Sequence, residues 1–410
     1  MPHRPKVSVT IPSYNHARYL PAAVESVLAQ TFRDFELIIT DDGSTDGSLE
    51  IAEGYAARHP ALVRVLTHPG GRNLGISATA NVNFRESRGD YWAGICSDDV
   101  WLPDKLERQV AFLDSRPGVG LVYGLAQVID KDGQPQPQIN GADITADGDP
   151  LARLICGNPI PAPTVMLRRR CLEEVGLHAE GITYGDWEQW IRILAHWDAG
   201  FIDRPLMLYR VHASNTSVNI EPALQLRYVM EVMLEVSGRA TEVGGRLGRP
   251  RTRALVELQL SHLFFCSGDE AEAERRLASA FAADPSLAAD AAYVARWLHD
   301  VRAHVYHARG GAARETDFSR WAASRLARVA GDGFARRLAR GVRARESAAG
   351  AYENYGTDLR RAGALARDCL RADPRYARDR MLLTILFESA LGERLAAPLR
   401  GFKRRLLGSK

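Results

Sequence analysis

The sequence predicts an α/β domain, a mostly parallel sheet flanked by helices, followed by an all-α region. Three observations lead there. Strand-like and helix-like runs alternate through the first 130 residues. Strand signals nearly vanish from about residue 221, where Ala, Leu and Arg dominate. Charge divides at the same place: residues 221–410 hold 33 Lys and Arg against 23 Asp and Glu, whereas the preceding residues hold 20 against 27. Alternation at this spacing is the pattern of a sheet covered by crossover helices. The expected domains are 1–220, with halves at 1–125 and 126–220, and 221–410.

The elements follow in order. Val7 to Ile11 is a β-branched run that Pro12, lacking an N–H, should stop. Ala22 to Gln30 puts Val24, Val27 and Leu28 on one helical face. Phe35 to Thr40 is a second strand, halted by Asp41-Asp42-Gly43-Ser44, and Leu49 to Arg58 a second helix. Val63 to Leu66 and Tyr91 to Ile95 are further strands; Pro103 to Leu113 is a helix and Val119 to Tyr123 a strand. Residues 131–150, rich in Gly, Pro, Asp and Gln, read as a surface loop, and 151–212 as short helices and strands. Beyond 221, helices are expected at Leu255–Phe265, Glu270–Ala283, Ala289–His304 and Ala364–Leu370. Two of them end in the same Ala-Asp-Pro, at Pro285 and Pro374, which gives the region weak repeat character.

Composition excludes several classes. With 410 residues, 46% hydrophobic and 25% charged, the chain is neither disordered nor a small disulfide scaffold. No run approaches the roughly 18 apolar residues of a membrane span. The five cysteines are scattered without a C-x-x-C pair, and the chain enters a strand-like run directly after its first residues. A reduced, cytoplasmic protein without structural zinc or a secretory signal is expected.

Ligands of open α/β sheets bind beyond the carboxyl ends of the strands. Those ends read Pro12-Ser13-Tyr14-Asn15, Asp41 to Asp46, and Ser97-Asp98-Asp99. Brought to one edge, they would build an acidic pocket, and a phosphate ligand there would need a hard divalent cation between, magnesium or manganese. Each tip also has a structural reading: Asp41 and Asp42 as a helix cap turned by Gly43, Asp98 and Asp99 as a capping turn, and Tyr14 packed over the sheet edge.

As an ordered set these motifs resemble family 2 glycosyltransferases over residues 5–218. The match runs from Ser8 to Gln30 with Pro-Ser-Tyr-Asn inside it, through Thr31 to Asp46, Asn73 to Gly75, Ala80-Asn81, Gly89 to Tyr91 and Ser97 to Leu106. It continues in Tyr184 to Arg192 and in Tyr209 to His212. The resemblance implies a GT-A fold, a nucleotide-diphosphate sugar donor (a UDP-sugar first), and Mn2+ or Mg2+. It implies that Pro12, Tyr14, Asn15 and Asp42 line the nucleotide pocket, with Tyr14 stacking on the base and Asp42 accepting from a ring N–H. Arg72, Asn73 and Ser97 would also lie on the donor, and Arg210 would bind phosphate. Asp98 matches the last aspartate of the family's metal motif, with Asp99 or His212 helping. Asp186 matches the catalytic base, with Glu188 as the rival within the segment and Trp187 and Trp190 as an apolar wall. The sequence departs from the family at Cys96, where an aspartate is usual; a thiol expected to lie buried at the strand end replaces it.

The resemblance implies transfer to an acceptor hydroxyl with inversion, on a glycan, lipid-linked or protein-linked acceptor. Rival readings are a sugar-phosphate nucleotidyltransferase and an inactive transferase-like adaptor. The basic helical region has three readings. It is a solvated domain without a partner, or a peripheral contact with the inner face of the membrane through Leu395–Lys410, or a docking surface for a homo-oligomer. Nucleic acid is not expected, since basic residues are interspersed with acids.

Overall fold

A computed structural model describes residues 4–391 apart from 147, 214, 216–220, 306–311 and 356. The chain divides into two compact units, Met1–Ser267 and Gly268–Lys410. The Leu395–Lys410 segment read as a membrane contact lies outside the described residues. Among the described residues no helix is long and apolar enough to cross a membrane.

The first unit opens with the expected alternation: β1 Val7–Ser13, α1 Leu20–Leu28, β2 Phe35–Asp41, α2 Ser48–Arg58, β3 Val63–Thr67, α3 Ile76–Glu86, β4 Tyr91–Gly94. There follow β5 Val100–Trp101, α4 Lys105–Asp114, β6 Val119–Ile129, β7 Pro135–Asn140, α5 Pro150–Cys156, β8 Met166–Arg168 and α6 Arg169–Val175. The unit closes with α7 Gly185–His196, β9 Asp198–Arg210, α8 Pro222–Val243 and α9 Pro250–Ser267. The sheet order is β3-β2-β1-β4-β8-β6-β9-β5, with β7 beside β6. Strands β3, β2, β1 and β4 run parallel, β8 reverses between β4 and β6, and β6 pairs β9 in parallel. Val7, Val9, Ile11, Leu37 and Ile39 share a core with Leu20, Val24 and Val27 of α1.

Two expectations are corrected, and one helix is added. β1 continues past Pro12 to Ser13. Ser13 O accepts from Asp42 N and Thr10 O from Ile95 N, so alternate residues face β2 and β4. Pro12 therefore turns its nitrogen toward β4, whose pairing has already ended at Thr10–Gly94, and no ladder bond is lost. The presumed loop at 131–150 contains β7, paired to β6 through Ala126–Asn140 and Gln127–Ile139. Alternation there is weak because β7 is largely exposed. Helix α3 was not foreseen: its buried face is carried by Thr79, Asn81, Asn83 and Phe84, three of them polar, so apolar periodicity is faint.

Helices begin at Pro222, as the composition change suggests, yet the compact units divide after Ser267. The reason is packing. α8 lies on α7 and α9 lies on α5 and α8; Arg239 of α8 reaches Glu188 at 3.7 Å, and His196 Nε2 lies 2.8 Å from Val243 O.

The second unit holds α10 Glu270–Ala283, α11 Ala291–Val305, α12 Ala312–Asn354, α13 Leu359–Ala372 and α14 Arg380–Leu391. Ala344, Ala348 and Ala351 of α12 share a buried cluster with Ala362, Ala366 and Cys369 of α13, each set spaced four and three residues apart. Small side chains in that rhythm let two helices approach closely. The Ala-Asp-Pro echo is structural as well. α10 and α13 are both 14 residues long and both run into a five-residue 3-10 turn, at Pro285–Ala289 and Pro374–Arg378. Their caps correspond one to one: Asp269 and Asp358 accept from Glu272 N and Arg361 N, Asp284 and Asp373 from Ser286 N and Arg375 N, Asp290 and Asp379 from Tyr293 N and Leu382 N.

Candidate active site

The strand tips meet at the carboxyl ends of β1, β2 and β4. Asn15 is the one non-glycine residue among those described with positive φ, at 52°. Asparagine tolerates that conformation, and its Oδ1 accepts from Thr45 N at 2.8 Å while its own N–H reaches Ser44 Oγ at 3.0 Å. Asp41 accepts from Gly43 N and Ser44 N through Oδ2, closing a local turn rather than capping α2, whose N-cap is Gly47. Gly43 has φ +81°, and a Cβ there would sit 2.7 Å from Gly71 O and 2.9 Å from Asn73 N. Glycine is therefore required where the 41–46 and 69–75 loops touch.

Asp42 is buried and faces the other loop. Its Oδ1 accepts from Leu74 N at 2.7 Å and its Oδ2 from Gly75 N at 3.0 Å, with His68 Nε2 at 3.3 Å. Both oxygens thus hold the 72–75 loop, and a base N–H would have to share them. Tyr14 is 47% exposed, and Arg72 and Asn73 are exposed as well.

The β4–β5 turn carries the acidic tip. His212 Nε2 lies 2.9 Å from Asp98 Oδ2, and Asn215 Nδ2 donates to the same oxygen at 3.1 Å. Asp99 Oδ1 accepts from Arg210 N at 2.9 Å, while its Oδ2 is buried with no hydrogen-bond partner. Burial and then the neighbouring charge of Asp98 push the Asp99 carboxyl well up, against the Arg210 N–H and charge. Cys96 is half-buried beyond the end of β4 rather than fully enclosed. Burial, then Asp99, Asp98 and Asp186, push its thiol well up, so it is a poor anion. Arg210, read as a phosphate ligand, is instead buried: its Nε donates to Asp98 O at 2.8 Å, and one terminal nitrogen lies 3.4 Å from Asp130 O. Ser97 is likewise buried and bonds His16 Nδ1 at 2.7 Å.

His16 escaped the sequence reading. It follows Pro-Ser-Tyr-Asn directly, and a histidine one step past a strand-tip motif was the available signal. One nitrogen of His16, one of His212 and a carboxylate oxygen of Asp98 lie within 4.8 Å of one another; donors of Cys96, Asp98 and Asp99 form a second such group.

Asp186 sits in the first turn of α7 and accepts from Trp187 N at 2.8 Å. Desolvation pushes its carboxyl up to about 6, the nearby backbone N–H groups pulling the other way. Its charge is felt at Cys96, which ties α7 to the β4–β5 turn. Ser77 at the start of α3 bonds Ile182 O, bracing the approach to α7. Tyr184 stands edge-on to Tyr228 of α8, with ring centroids 5.7 Å apart. Glu188, the rival base, is fully buried and doubly bonded to Arg192, at 2.7 and 2.8 Å. Trp187 and Trp190 are 5% and 3% exposed, and Trp187 Nε1 donates to Leu154 O. They are core residues, not an open apolar wall.

The profile described as Glycosyl transferase family 2 matches residues 8–175. An uncharacterized glycosyltransferase of Nostoc, alr2836, is 32% identical over 228 residues, covering 53% of this chain and 68% of that protein. The chain belongs to glycosyltransferase family 2. Chondroitin synthase of Escherichia coli is 38% identical over 129 residues, covering 32% of this chain and 18% of that protein. The crystal structure of S. aureus TarS 1–349 in complex with UDP-GlcNAc superposes with a TM-score of 0.53 at 18% identity, covering 80% of this chain and 92% of that one. At that identity the likeness concerns the fold, and the mixed sheet followed by helices is the GT-A arrangement expected of this glycosyltransferase.

A divalent cation fits the acidic tip. The donor set is nitrogen and carboxylate oxygen, and the orphaned Asp99 Oδ2 is a buried acceptor awaiting positive charge.

Proposed function

We propose that this glycosyltransferase moves a sugar from a nucleotide-diphosphate donor to an acceptor hydroxyl with inversion, in the assembly of a surface polysaccharide or related glycan. The observation that carries the proposal is the desolvated Asp186 carboxyl, raised to about 6 and near enough to act on Cys96, which sits two residues before the Asp98 that His212 bonds. A general base works best when its pKa lies near the working pH. Catalysis belongs to residues 1–220, with the donor held by 1–125 and the acceptor by 126–220.

Each residue has a task. Tyr14 stacks on the base, and Pro12, Asn15, Asp42, Arg72 and Asn73 form the wall around the nucleotide. Asp98 and His212, with Asp99 helping, would hold Mn2+ or Mg2+, and Arg210 and Ser97 brace that turn. A bound divalent cation offsets the charge that develops on the leaving diphosphate. The acceptor oxygen attacks the anomeric carbon from the face opposite the diphosphate. As that C–O bond forms and the bond to the diphosphate breaks, the hydroxyl proton passes to Asp186, and the electron pair leaves with the nucleotide.

A thermal-shift screen tests this reading with UDP-, GDP-, dTDP- and CMP-sugars, each with and without manganese. TarS was solved with UDP-GlcNAc, so UDP-sugars come first. Stabilisation by one nucleotide class that requires the metal is expected, because binding to the folded state raises apparent stability. A flat response across the panel, unchanged in Asp98→Asn, would remove the donor site.

A further inference from the structure

We propose that His16 is a third protein ligand of the cation, giving a site of two imidazoles and one carboxylate that prefers Mn2+ or Co2+ over Mg2+. The inference rests on the metal-dependent reading above and names the selectivity of that same site.

Three features support it. The three donors of His16, Asp98 and His212 already lie within 4.8 Å of one another, a separation that a small inward movement brings to the spacing around one ion. Each imidazole is held in place. Ser97 Oγ bonds His16 Nδ1 at 2.7 Å, His16 N is fixed to Ser48 Oγ at 3.0 Å, and Tyr19 stacks on His212 with centroids 4.8 Å apart. The two rings stand edge to face, centroids 5.6 Å apart, so they approach the carboxylate from different directions. Ligands oriented by outer hydrogen bonds are the usual construction of a metal site.

The chemistry then selects the ion. Mg2+ demands oxygen ligands and gives up water reluctantly, whereas imidazole suits the transition ions. The neighbouring alternative, Cys96 with Asp98 and Asp99, offers a soft sulfur donor that suits a hard divalent cation poorly. His16 takes up the coordination that Cys96 does not supply.

The test titrates the full chain with MnCl2, CoCl2 and MgCl2 by calorimetry and by Mn2+ EPR, each alone and with UDP. Wild type should bind Mn2+ and Co2+ at least about tenfold more tightly than Mg2+. His16→Ala should lose about tenfold or more in Mn2+ and Co2+ affinity with little change for Mg2+, and His16→Asp should shift the preference toward Mg2+. The visible d–d absorption of bound Co2+, which follows the number and geometry of its ligands, should weaken in His16→Ala. Metal-free melting temperatures of the variants should match wild type; a misfolded alanine variant is replaced by His16→Gln, which keeps a hydrogen bond to Ser97. Wild-type Mn2+ affinity in a folded His16 variant, together with its loss in His212→Ala, would overturn the role of His16 and leave the transferase reading intact. No cation binding by wild type with or without UDP would overturn both.

Discussion

Asp186 makes a prediction in which activity and stability move in opposite directions. Desolvation raises its carboxyl from 3.8 to about 6. The base must be ionised to accept the acceptor proton, so kcat/KM should rise with pH and level off above about 7. At pH 5 about one molecule in eleven carries the ionised form, so kcat/KM should be roughly tenfold below its plateau. The stability sign is the reverse of that of a salt-bridged aspartate. A folded-state pKa above the unfolded value means that the folded protein binds the proton more tightly, so the penalty is absent below pH 3.8, grows as pH rises from there to about 6, and is constant above. The shift corresponds to roughly 3 kcal/mol, and screening at the partly open mouth of the site leaves about 1–2 kcal/mol. Asp186→Asn removes the penalty. It should melt about 2–6 °C higher at pH 7.5 and lose roughly 10² to 10⁴ in transfer, with donor binding retained. The assay is nucleotide release at subsaturating donor from pH 5 to 8.5, paired with calorimetric melting. A flat profile between pH 5 and 7, or an asparagine variant with near-normal transfer, would refute the assignment.

Two further outcomes separate structural from catalytic carboxylates and test the loop contact. Glu188→Gln leaves Arg192 buried without its counter-charge, so it should cost about 3–5 kcal/mol of stability while the folded fraction keeps its transfer rate; loss of transfer without loss of stability would restore Glu188 as a base. Gly43→Ala forces a left-handed alanine against Gly71 O, so it should cost at least about 1–2 kcal/mol and weaken nucleotide binding; unchanged melting and nucleotide affinity would show that the loops do not depend on that contact.

The strand tips were legible because period-2 runs that end in acidic turns leave a direct trace in the sequence. Asp42 and Asp98 could be marked for that reason, whereas Asp186, in the first turn of a helix, was marked only by the family resemblance; the structure brings Asp186 and the Asp98 turn within electrostatic reach of Cys96. What stayed hidden was set by tertiary neighbours. Nothing in the spacing says that Arg210 faces the carbonyls of Asp98 and Asp130 instead of solvent, or that Trp187 donates to Leu154. α3 was invisible because its inner face is polar: Asn81 bonds His178 O and Asn83 bonds Thr40, so burial there follows hydrogen bonds rather than hydrophobicity. In the helical unit the Asp-Pro echo was readable, but the pairing of Ala344, Ala348 and Ala351 with α13 was not, since alanine is common on every face of these helices.

The contact at Gly43 bears on how such an enzyme can be redesigned. Residues 12–15, 41–46 and 69–75 are joined by Asn15 to Thr45, by the closeness of Gly43 to Gly71, and by Asp42 to Leu74 and Gly75. The three loops behave as a single cassette. Exchanging one of them with a relative's loop imports a segment shaped for different neighbours, whereas transplanting all three together carries the fitted surfaces along. Attempts to change the nucleotide should therefore graft the cassette whole and leave the acidic turn and α7 in place.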